Sequence, residues 1–69
     1  MSLKHLIAHW DEDLPHLDAE ALQERWTLAQ NRENEADAPG TGRNPKARRD
    51  WRKRRQAVEA ELERRGLEF

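Results

Sequence analysis

His5, His9 and Asp13 recur at i, i+4 and i+8, with His16 close behind. Histidines one helical turn apart can ligate zinc, and a carboxylate can complete such a site. Two features turn the reading away from metal. His5 and His9 lie off the apolar face shared by Leu3, Leu6, Ile7 and Trp10, and no His-Glu-x-x-His or flanking ligand motif accompanies them. They are expected to be solvated surface histidines, with no metal or cofactor bound. The acidic run Asp11-Glu12-Asp13 has the residue types of a general acid–base pair or a cation site. A short linker facing solvent offers no burial to raise a carboxylate pKa into a catalytic range. The run is expected to be a soluble turn, with Asp13 helping to cap. The chain has no cysteine, which excludes disulfides, thiol catalysis and Cys-based zinc sites. It carries no P-loop, no dinucleotide fingerprint and no Ser/His/Asp arrangement. A helical chain of this size also lacks the usual ligand-cavity volume. An enzyme is not expected.

The strongest local signal is basic. Arg43–Arg55 holds eight basic residues and one acid, Asp50, with Trp51 among them. A basic helix bearing an aromatic can track phosphates and stack a base. The segment from Asn44 to Arg55 resembles the arginine-rich RNA-binding helix of lambdoid phage N antitermination proteins, an Asn-x-Lys-x-Arg-Arg run followed by further arginines. The matching positions are Asn44, Lys46, Arg48, Arg49, Arg52 and Arg54. The resemblance implies a grip on a hairpin RNA. That family's segment is N-terminal and folds on binding, whereas this one reads as the second arm of a preformed hairpin. Gly42-Arg43-Asn44-Pro45-Lys46 is similar to the arm tip of HU-type DNA-bending proteins, without the strands that flank such an arm.

The competing reading is intramolecular. Residues 1–42 hold three basic and nine acidic groups, net −6, and residues 43–69 hold ten basic and five acidic groups, net +5. Such halves attract each other, or one of them is aimed at an anionic partner. Glu33, Glu35 and Asp37 fall opposite the basic run in a hairpin and neutralise part of it. On a helical projection Ala47, Trp51, Val58 and Leu62 point inward. Arg49, Arg52, Lys53 and Gln56 point outward, with Arg48 on one flank. These five are candidate partner-binding residues. Leu28 joins them, because it falls off the Leu22/Trp26/Ala29 stripe and a hairpin alone leaves it exposed.

The elements that position these residues are helical. Asp18 is a good N-cap, Leu17 and Leu22 have the spacing of a hydrophobic staple, and an apolar stripe runs to Ala36 before Pro39-Gly40. Asn44 can cap a second helix with Pro45 at its first position, and Gly66 falls where a left-handed C′ residue belongs. The expected fold is all-α: an antiparallel hairpin of about 18–38 and 45–65, with a short N-terminal helix of about 3–10 capped by Ser2. Partners whose residue numbers add to about 84 bring Leu22 to Leu62 and Trp26 to Val58. The same register brings Arg25 to Glu59, Glu35 to Arg49 and Glu20 to Arg64. The expected core is Leu22, Trp26, Trp51, Val58 and Leu62, with the N-terminal helix and Phe69 near its open end.

Sixty-nine residues allow one small domain, 1–69. Apolar residues are 35% and charged residues 39%, so the core is thin and a partner chain becomes attractive. A homodimer is expected on that ground. The longest apolar run, Leu6-Ile7-Ala8, is far too short to span a membrane. The lack of cysteine fits a reducing cytoplasm. The expected function is a non-catalytic protein-binding regulator or inhibitor that docks on a larger protein and occludes it. In size and charge profile the chain is similar to small phage-encoded proteins that block host proteins. The alternative is an RNA- or DNA-binding protein working through the arginine-rich helix.

Overall fold

The computed structural model describes residues 3–37 and 44–68. Ser2, the Pro39-Gly40 breaker, the Gly42-Arg43 pair and Phe69 lie outside the described residues, as does the side chain of His5. The described residues form helices α1 (Leu3–Ala8), α2 (Trp10–Asp13), α3 (Ala19–Asp37) and α4 (Pro45–Arg64), with a 3-10 turn over Leu14–His16 between α2 and α3. No strand occurs among them. The fold is all-α.

The two long helices begin where their caps dictate. The Asp18 carboxylate accepts the Ala21 amide at 2.8 Å, satisfying a donor that the helix itself leaves orphaned. The Asn44 side chain accepts the Ala47 amide at 3.1 Å, and Pro45 follows at the first helical position. The Asn44 amide bonds back to Ala36 O at 3.0 Å, tying the start of α4 to the end of α3. Helix α4 ends in a Schellman motif. Leu67 N bonds Leu62 O at 2.9 Å and Gly66 N bonds Glu63 O at 3.0 Å, with Gly66 at φ 74°. Only glycine takes that backbone conformation without a Cβ penalty.

The hairpin packs in nearly the expected register. Trp26 meets Glu59, Glu33 meets Arg52 and Asp37 meets Arg48, each one residue along from the anticipated pairing. That step changes the charge partners. Arg25 reaches Asp13 instead of Glu59, Arg64 takes Glu61 in its own helix, and Glu35 pairs with Arg32. For Arg64 and Glu35 the local i, i+3 partner costs less side-chain ordering than a reach across the hairpin.

The N-terminal region departs further from expectation. The helix breaks at His9 (φ −115°, ψ 19°), and the acidic run is helix α2 rather than a turn. Pro15 sits in the first turn of the 3-10 segment, where its missing amide is harmless. The break lets both Trp10 and Leu14 turn inward. The core is Trp10, Leu14, Leu22, Ala29, Trp51, Val58 and Leu62. Leu22, Val58 and Leu62 are fully buried, as the stripes require. Trp26 is only partly buried and packs at the core's edge. Trp10, 2% exposed, takes the central place instead, edge-on to Trp51 with centroids 5.8 Å apart and planes at 84°.

Candidate partner-binding face

Most of the basic run on α4 is already engaged inside the molecule. Glu33, on α3, accepts Arg52 Nε at 2.9 Å with one carboxylate oxygen and Arg55 Nε at 3.0 Å with the other. Arg55 also donates to Glu59 at 2.7 Å, and the same Glu59 oxygen accepts the Trp26 indole N–H at 2.9 Å. Arg48 reaches Asp37 at 3.3 Å. Arg54 lies over the Trp51 ring, 4.8 Å from its centroid. Burial pushes the Glu33 carboxyl up, but hydrogen bonds from Arg52 and Arg55 and their positive charge outweigh it and hold the pKa below its ordinary value. Burial opposes the charged form of Arg55 too, and its bonds to Glu33 and Glu59 outweigh that and raise its pKa.

The outward stripe divides accordingly. Arg49, Lys53 and Gln56 are exposed, and neither Arg49 nor Lys53 has an ion pair among the described residues. Lys46 is a third cation of this kind. Arg52 is exposed along its length while its guanidinium is held by Glu33. Arg48 is half-buried. Arg49, Arg52, Lys53 and Gln56 thus lie at helical spacing on one outer surface, with Arg48 on its flank and drawn toward α3 by Asp37. Leu28 lies on the other long helix, away from these residues. It is half-buried against the core and lines an open depression with Glu20, Glu24, Thr27 and Asn31.

A second concavity separates α1–α2 from α4. It has a volume of about 440 Å³ and is open to solvent. Ile7, Trp10 and Ala57 contribute apolar lining, Asp11 and Glu12 stand on the α2 side, and Asp50 and Lys53 on the α4 side. His9 Nδ1 lies 3.1 Å from Glu12 Oε2, and among the described residues no three His, Asp or Glu side chains converge as ligands.

Two contacts have no forewarning in the hydrophobic pattern. The Arg65 guanidinium donates to Leu17 O at 2.6 Å, to Leu14 O at 3.1 Å and to Pro15 O at 3.1 Å, while its Nε bonds Glu61 at 2.7 Å. It bonds the Pro15 and Leu17 carbonyls, shares the Leu14 carbonyl with the Leu17 amide, and clasps the N-terminal segment to the end of α4. Arg25 lies over the Trp10 ring at 5.1 Å and reaches Asp13 at 3.4 Å, while the Trp10 indole N–H finds Arg54 O at 3.2 Å. The one available signal was Trp10 itself, sharing a face with Leu6 and Ile7. Comparison with protein-family models, with characterised proteins and with solved structures yields no match.

Proposed function

We propose that this protein is a small non-catalytic regulator or inhibitor that docks on a larger protein and occludes it, and that it works as a pair of identical chains. The docking surface is the outer face of α4, with Arg49, Arg52, Lys53 and Gln56 as its contacts. The observation that supports this reading over nucleic acid is the fate of the arginines. Arg48, Arg52, Arg54 and Arg55 each have an internal partner. A phosphate-tracking helix draws its affinity from Lys and Arg side chains that neutralise phosphates and free the nucleic acid's counterions, and engaged arginines must first give up their carboxylates. What stays open is a mixed surface of cations, amide and aliphatic stems, suited to a protein face of complementary charge. Pairing of two chains answers the thin core.

Lys46, Arg49 and Lys53, free cations at i, i+3 and i+7, favour the second reading, RNA or DNA binding. Affinity capture from nuclease-treated lysate separates the two. The docking reading expects a stoichiometric protein band that survives nuclease and is lost with the Arg49→Gln/Arg52→Gln variant. Recovery of nucleic acid alone, with no protein left after nuclease, overturns it.

A further inference from the structure

The N-terminal helices meet α4 through Trp10 against Trp51 and Arg54 and across the groove that Asp50, Lys53 and Ala57 line. Lys46 is exposed in the first turn of α4, at one end of the i, i+4, i+7, i+11 ridge whose Asp50, Lys53 and Ala57 line the groove. Ridge and groove carry opposite free charges. Lys46 and Lys53 have no ion pair among the described residues, and neither do Asp11 and Asp50. A two-fold interface must be complementary to itself, because each residue that contacts a partner position is contacted by its own copy in return. This edge meets that condition.

We propose that a second copy of this chain occupies the groove, with the two α4 helices antiparallel along this edge. A two-fold axis level with the peptide between Trp51 and Arg52 sets Asp50 of each chain opposite Lys53 of the other. At 1.5 Å rise per residue, Lys46 stands about 8 Å from that axis, as far as Ala57 on the opposite side. Lys46 of each chain thus enters the other's groove, its aliphatic stem over Ala57 and Ile7 and its ammonium beside Asp11 and Glu12. Lys46, Lys53, Asp11 and Asp50 each thereby meet an opposite charge. In the paired molecule Lys53 belongs to the seam, and the face left open to a target is Arg49, Arg52 and Gln56 on the outer side of α4. The interface rests on the paired-chain part of the proposed function and adds its location.

Sedimentation equilibrium of the full chain and its variants tests the interface without any target. The wild type should sediment at twice the chain mass at micromolar concentration and shift toward monomer as salt rises. Asp50→Lys alone and Lys53→Asp alone each set like charges opposite one another, and each should give monomer with unchanged helicity. The double change, D50K with K53D, exchanges the signs on both chains and should restore the dimer. A wild type that stays monomeric at every concentration and salt overturns the pairing itself. A dimer that both single variants leave intact, or that the double variant fails to rescue, overturns this interface while leaving pairing elsewhere standing.

Discussion

At the scale of single residues, the molecule depends on aromatic and arginine side chains placed where a minor shift matters. Trp10 and Trp26 are the instructive pair. Both sit on apolar stripes, yet Trp10 is buried to 2% exposure and Trp26 is not. Truncating a fully packed tryptophan costs about 3–5 kcal/mol, a large part of the stability of so small a domain. Trp10→Ala should therefore abolish the cooperative urea transition, whereas Trp26→Ala should keep it with a lowered midpoint. Equal losses in the two variants would show that both indoles support the core to the same degree. Arg65 is the other test at this scale. Its bonds to three carbonyls are charge-assisted and half-sheltered, and such bonds contribute about 1.5–3 kcal/mol to charged partners. Arg65→Lys keeps the charge but loses the planar fork. Hydrogen exchange in Arg65→Lys should speed up in α2 and the 3-10 turn while α3 and α4 stay protected. Uniform acceleration across the chain would instead mean that the clasp holds the whole fold.

At the scale of elements, a line of charges runs beside the apolar seam of the hairpin and links α3 to α4. The Glu33 carboxyl is held below its ordinary value of 4.5 by Arg52 and Arg55. The unfolded chain lacks those partners, so stability from Glu33 is complete above about pH 4.5 and is lost as pH falls through the lower folded pKa. Glu61, hydrogen-bonded by Arg64 and Arg65, is also lowered and acts in the same direction. The melting temperature should fall on acidification below that range, and Glu33→Gln should start lower and fall less steeply. A Glu33→Gln variant with the full wild-type pH profile would remove Glu33 from the account. The long helices were legible because their signals are local: Asp18, Asn44-Pro45 and Gly66 each fix an end with one or two residues. The N-terminal region was legible only as helix. Whether Asp11–Asp13 forms a turn or a further helical turn depends on Leu14 and Trp10 finding the core, a tertiary event that no periodicity records. The register came within one residue because apolar stripes set it coarsely, while the charge partners depend on the rotation that the last residue brings.

At the scale of the whole molecule, a net −6 half folded on a net +5 half leaves a nearly neutral protein, and Glu33 and Asp37 of the first half hold Arg48, Arg52 and Arg55 of the second. Of the candidate site, the outward positions Arg49, Lys53 and Gln56 could be read from a helical projection alone. The engagement of Arg48 and Arg52 could not, because it needs Asp37 and Glu33 at defined distances across the hairpin. That engagement is what separates a docking surface from a phosphate-tracking one, and it makes a direct demand on binding. The decisive measurement is competition: the labelled protein in complex with its captured target, titrated with a hairpin RNA and with a mixed-sequence DNA duplex across a range of salt. The docking account predicts that neither nucleic acid displaces the target and that Arg49→Gln/Arg52→Gln weakens the complex, chiefly through slower association. Displacement by the RNA or the duplex, with a salt slope that shrinks by roughly 0.9 for each duplex phosphate that the variant no longer neutralises, would contradict it.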